Sequence, residues 1–524
     1  MRKTYLILFA FILIFTFKPI ISVQCCHGDE FIERCTDCDQ NDCFISRTFM
    51  MTRPVSHNIR AEQSLWHGLI YDKQDNGGSF QVTVMYQQSV RSPETAKYFT
   101  FGRKTLLRVI GDNVQPDYCY RDVRAEWLGL PSDFRGALSV DPEQRQFGCV
   151  LAYSKDLKTF FDHDFLQRFW FEVSLPLVAV ENDMRLCQCD IINRSETFPH
   201  DIVDAFNQSD WRYAKMNGKL SCFNLAPLRV RFGGAFMSEG NNEIVSYTAL
   251  LFPTGRGDCN QYLFEPVADY NGHFGFGSGV NFQFVLNKEC DNIPNVYDYC
   301  FFLNFEAIFL VRKWHCRTFD LKCRPVSENC PCNRTCAPCE YKRLPWSRYL
   351  LFNSKNGVPN QNIPGVNILT RRVKVRPYGI YDFSCGFRLK GEKFEAEIGY
   401  GIWGHAAERI ECIEKFAKQW GIAGNDPGDT VVKSASRSSI CQRGYASPEE
   451  EAGDEFIAIC ASDLDLDSGA SQGALNHIIS IAGGFDHKGK CVDAFFGLGF
   501  YFDVPQKNSA LQTWGAWLKF GSSF

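Results

Sequence analysis

Asp463, Asp465 and Asp467 place three carboxylates at alternate positions, with Gly469 close behind. That spacing of oxygen donors suits a hard cation such as calcium. The glycine comes one residue late for a loop of that kind, and Ala474 stands where a closing carboxylate belongs. Two C-x-x-C pairs, Cys35 with Cys38 and Cys336 with Cys339, have a spacing that serves zinc, thiol exchange or disulfides. The chain has no nucleophile elbow, no H-E-x-x-H pair and no Gly-rich phosphate loop. Hydrolytic and nucleotide chemistry therefore have no motif to stand on, and neither an enzyme nor a cofactor is expected. His273, His405 and His477 fall near the ends of apolar alternating stretches, without a Ser or Asp partner that spacing can name.

A larger set of charged residues is ordered along the chain. Glu172 precedes Arg229 and Arg231, then Glu306, then Arg388, then Glu395 and Glu397. Each lies on the polar side of a segment whose other side is apolar. Phe169, Phe171 and Val173 alternate with Glu172 and Ser174; Leu228, Val230 and Phe232 alternate with Arg229 and Arg231; Phe383, Phe387 and Leu389 accompany Arg388. A period of two marks β-strands with two unlike faces. If Gly391 and Glu392 alone make the turn after Lys390, Arg388 falls directly opposite Glu395.

About twelve such segments can be counted, with an uncertainty of two either way. Tight connections fall at 238–242, 390–393 and 486–490, all on one side, whereas the long ones, about 87–145, 181–227, 313–378 and 405–472, fall on the other. Short turns on one side and long loops on the other are the rule of a membrane barrel. Inside the long loops, short helices are expected at Pro199–Trp211 and from Ile410 through Trp420.

The last segment closes the set. Trp514, Ala516, Leu518 and Phe520 share one face, Lys519 and small residues share the other, and Trp517 is the exception. Thr513, Gly515, Leu518 and Phe520 form a polar, Gly, hydrophobic, aromatic pattern that resembles the closing-strand signal of bacterial outer-membrane β-barrels, with Gly521 to Phe524 added beyond it. The resemblance implies an all-β, closed antiparallel transmembrane barrel of porin-like type, with the outer-membrane assembly machinery and the lipid bilayer as partners.

Composition agrees with export. Met1 to Ser22 reads as a signal peptide, with Arg2 and Lys3 ahead of a short apolar run. The 24 cysteines imply an oxidising compartment and disulfides. Residues 23–78 form a Cys-rich segment that either plugs the lumen or hangs in the periplasm, and 79–524 form the barrel. A net charge of -4 offers no general attraction for nucleic acid. The 46 Phe and 41 Gly suit a lipid-facing surface and curved strands. The expected role is a narrow pore for small polar solutes, its lumen lined by both signs of charge. The alternative is a surface-exposed structural or adhesion protein anchored by the barrel, with Arg256, Gly257 and Asp258 as an adhesion-like tripeptide facing a host surface.

Overall fold

The computed structural model describes residues 46–63, 78–90, 93–100, 105–114, 121–157, 169–239, 242–255, 257, 260–286, 297–322, 343–355, 362–415, 419–423, 458–487, 489 and 492–524. The leader and both cysteine clusters, apart from Cys316, lie outside them, as do Arg256 and Asp258.

Twelve strands build the barrel: β1 (Gly78–Ser89), β2 (Glu143–Asp156), β3 (Phe169–Asp183), β4 (Leu228–Glu239), β5 (Asn242–Phe252), β6 (Gly275–Val285), β7 (Asp298–Leu310), β8 (Gly379–Lys390), β9 (Phe394–His405), β10 (Ala474–His487), β11 (Asp493–Pro505) and β12 (Thr513–Ser523). Each pairs antiparallel with its chain neighbours, and β12 pairs with β1 from Ser79↔Ser523 to Ser89↔Thr513, so the sheet is closed. Closure leaves every strand with two partners, which hydrocarbon requires of any sheet within it. No helix among the described residues is long and apolar enough to cross a membrane.

Side-chain parity follows the period of two. Phe80, Phe147, Phe276, Phe387, Ile398, Ile481 and Phe502 point outward and are exposed, while their neighbours Gln81, Gln146, Arg388, Glu397 and Asp503 are buried inside. Among the described residues no second layer of protein covers the outer face, so this apolar belt is a lipid-facing surface. Trp517, the exception in the last strand, turns inward and lies over Gly499, where an added Cβ would come within 2.4 Å of the indole. Tyr501 covers Gly515 in the same way, at 2.3 Å. Inward glycines therefore admit the large rings of adjacent strands, which accounts for part of the glycine excess.

The described parts of the longest connections, those after β1, β3, β5, β7 and β9, lie at one end of the barrel and fold together into a cap. Trp127, Phe134, Phe206, Trp346, Tyr349 and Val373 are nearly solvent-free members of a single core there. A three-stranded sheet, Lys313–Thr318 with Thr370–Arg376 and Arg409–Ile413, belongs to it. The short helix expected within 199–211 is present as Ile202–Phe206. The amphipathic helix expected from Ile410 is not: Arg409–Ile413 is a strand, because its apolar residues are used by the cap sheet. The ends joined on the turn side are those of β4 and β5, β8 and β9, and β10 and β11, by short connections, and also those of β2 and β3 and of β6 and β7, by longer ones that the expected rule of short turns on this side did not include.

The expected opposition of Arg388 and Glu395 is also corrected. Arg388 is opposite Glu397 and Lys390 opposite Glu395, because the two-residue turn falls at Glu392 and Lys393 and not at Gly391 and Glu392, with Gly391 N–H donating to Phe394 O at 2.7 Å. A slip of two positions changes the partner and keeps the face.

Candidate functional site: the lumen and the segment inside it

Residues 46–63 run from the cap into the barrel interior, and the chain can be followed by its partners. At the loop end, Thr48 N–H donates to Ser468 O at 2.9 Å and Arg47 Nη1 to Asp467 O at 2.7 Å, both in the cap. Next, Val55 N–H donates to Gln146 Oε1 at 2.8 Å, and Arg53 meets Asp503 of β11 at 2.5 Å. Farther in, Arg229 Nη2 donates to His57 Nδ1 at 2.9 Å, which leaves His57 Nε2 facing Glu306 at 3.7 Å and Asp382 at 3.9 Å. A short helix, α1 (Ile59–Gln63), carries the last contacts. Arg60 pairs with Glu397 and stacks over Phe302 at 3.8 Å. Glu62 takes both its oxygens to Arg229 Nη1 at 2.8 Å and also pairs with Arg231. Lys519 Nζ donates to the Glu62 carbonyl at 2.8 Å.

Wall charges complete these pairs. Arg231 Nη1 donates to Glu172 Oε1 at 3.0 Å, directly across β3 and β4, as the order along the chain suggested. Glu306 does not meet Arg388. It lies opposite Asp382 in register and instead receives Tyr247 OH at 2.8 Å and faces Arg231 at 3.3 Å. Arg388 bonds Glu397 through Nε and Nη2 and reaches Gln283. Lys390 approaches Glu395 at 3.8 Å. Glu306 and Arg388 are 1% and 2% exposed, so these are dry pairs in which removal of one partner strands the other.

Sequence reasoning named seven wall charges and missed Asp382, Asp503, Lys519 and the whole internal set of Arg53, His57, Arg60 and Glu62. Their signal was Arg47, Arg53 and Arg60 within one short polar stretch, basic residues suited to a wall in which carboxylates predominate. The three aspartates of the cap are dispersed in role. Asp463 accepts from Cys460 N–H at 2.8 Å, Asp465 pairs through its backbone with Asp320, and Asp467 offers its carbonyl to Arg47. Among the described residues no group of three His, Cys, Asp or Glu side chains is arranged to hold a metal. Cys149 and Cys385, on the lipid-facing side, are free thiols, whereas Cys187 and Cys189 are disulfide-bonded.

The rim histidines make structural contacts. His477 Nδ1 lies 2.6 Å from Tyr400 OH, and His405 Nδ1 donates to Ala406 O. His273 Nδ1 donates to Val311 O at 2.7 Å, and its Nε2 lies 3.1 Å from His315 Nε2. Burial, with help from Arg317 and Lys313, holds His273 down to about 4 and depresses His315 further. Asp269 is pushed up to about 6 by burial, against the opposing Gly272 N–H and Lys313.

No family model matches the chain, and no curated protein does. Among solved structures, an outer-membrane channel from Pseudomonas putida F1 is similar at 9% identity, covering 85% of this chain and 94% of that one, with a TM-score of 0.35. The transport unit of the autotransporter AIDA-I from Escherichia coli is similar at 7% identity over 89% and 95%, TM-score 0.31. A Pseudomonas aeruginosa FadL homologue is similar at 8% identity over 86% and 90%, TM-score 0.26. Independently of those likenesses, the closed strand pairing, the exposed apolar belt and the charged interior make this chain a twelve-stranded β-barrel of the outer-membrane type.

Proposed function

We propose that the protein resides in a bacterial outer membrane and forms a narrow pore for small polar solutes, closed at rest by residues 53–62. The observation that carries this reading is the nature of the seal. From Arg53 to Glu62 the segment is tied to the wall mainly by ion pairs with Asp503, Glu397, Arg229 and Arg231. Such pairs can be exchanged for water and solute, and both signs of charge along the wall favour polar solutes over apolar ones without strong preference between anions and cations. The final strand, paired along its length with β1, supports the outer-membrane assembly machinery as the partner that inserts it.

A planar-bilayer measurement tests the pore. The intact chain should show rare, small openings, and a chain lacking residues 53–62 should show stable ones. A folded deletion variant that stays silent overturns the pore. One observation favours a second reading, an anchor for surface display: the cap core covers the mouth, and Met50 of the internal segment is built into that core.

A further inference from the structure

Direction is the feature of the internal segment that neither reading uses. Ser46 is enclosed in the cap, where its Oγ donates to Phe99 O at 3.0 Å and receives Arg348 Nη2 at 2.7 Å. Arg53 is level with Asp503, two residues from the loop end of β11. Arg60 is level with Glu397, three residues from the turn end of β9, and Glu62 is next to Lys519 in the lower half of β12. The chain thus passes from loop end to turn end, and β1 then begins at the turn end, where Gly78 exchanges backbone hydrogen bonds with Phe524 at 2.9 and 2.8 Å.

We infer that the protein threads its own barrel, so that the stretch ahead of Ser46, with Cys25, Cys26, Cys35, Cys38 and Cys43, is carried on the loop side of the membrane. A plug inserted from the turn side would run the opposite way, with its earliest residues at the turns. The fixed points exclude that: Thr48 and Arg47 are bonded to the cap residues Ser468, Asp467 and Ala470. In an outer membrane the loop side is the cell exterior, which makes the Cys-rich stretch a displayed element whatever the lumen conducts. The inference rests on the barrel and its orientation and is independent of the pore.

Three single-tag versions of the full chain test it: an epitope inserted directly before Ser46, one between Glu196 and Thr197 in an exposed loop, and one between Glu392 and Lys393 in a turn. Each is probed with antibody on intact and on permeabilised cells, and each is checked for folding by its mobility in unboiled gels. The expected result is that the tag before Ser46 behaves as the loop tag does, bound on intact cells, while the turn tag is bound only after permeabilisation. If the tag before Ser46 behaves as the turn tag does, the threading is wrong. If the loop tag is the hidden one and the Ser46 tag is hidden with it, the threading stands and the membrane orientation is what fails. A protease site in place of the epitope before Ser46, cut by enzyme added outside, gives the same answer without an antibody.

Discussion

Replacing Glu62 with Gln removes one negative charge from between two buried guanidinium groups. Arg229 and Arg231 have side chains only 7% and 6% exposed, and Glu62 pairs with both. Two unit charges about 4 Å apart interact by about 4 kcal/mol at an effective dielectric near 20. Stranding a buried charge typically costs about 3–5 kcal/mol. Because Glu172 and Glu306 still face Arg231, the Glu62→Gln loss should fall at the lower end, about 3 kcal/mol. Arg376→Gln supplies the contrast: it breaks an exposed pair with Glu411, the arginine being 51% exposed, and should cost less than about 1 kcal/mol. Urea unfolding in detergent, followed by the loss of the compact band in unboiled gels, measures both. A double replacement, Glu62→Gln with Arg229→Gln, should cost less than the two single losses added together, since each removes the other's unpaired partner. If Glu62→Gln proves as mild as Arg376→Gln, or if the double replacement is strictly additive, the segment does not pair inside the barrel.

Other outcomes follow from the same geometry. Gly515→Val pushes a side chain into the Tyr501 ring, which is held by a 2.9 Å bond to Gln87, and should lower stability by about 1–3 kcal/mol or reduce the folded yield in the same gel assay. Asp269 titrates near 6 when folded and lower when unfolded, so the folded state binds the extra proton between about pH 4 and 6 and stability falls as pH rises through that window. Asp269→Asn should therefore stabilise the protein at pH 7 by about 2–3 kcal/mol and change little at pH 4, as read from urea midpoints at the two values. His273 behaves in the opposite sense. Its folded value near 4 lies below the unfolded one, so stability is present above about pH 6.5 and is lost as pH falls toward 4. His273→Gln should remove about 3 kcal/mol of that acid sensitivity, and an unchanged acid limb in the same titration would contradict it.

Face and strand number were legible because lipid and a charged interior impose opposite demands on alternate residues. Phe80, Phe276 and Phe387 could be assigned outward from pattern alone, and Glu172 could be set beside Arg231. The β8–β9 register was not legible, since a two-residue turn at Gly391 and Glu392 and one at Glu392 and Lys393 both fit the sequence, and both keep Arg388 inside. Residues 46–63 escaped for a different reason. A segment that touches wall on all sides has no dry and wet face, so no period announces it. The cap was read as loop because its strands are short and irregular. Yet Trp127, Phe134, Trp211, Trp346 and Tyr349 are more aromatic residues than unstructured loops carry, and long connections without their own core are uncommon.

The seam between β1 and β12 has a consequence for the order of events during biogenesis. The enclosed stretch precedes every strand of the wall in the chain, and the cylinder is complete only once Phe524 meets Gly78. A chain arranged this way can be wrapped by its own later sequence, with no need to be pushed through a finished hole. Cutting away the last strand would therefore release the enclosed stretch sideways, through an open wall, instead of lengthwise through either end.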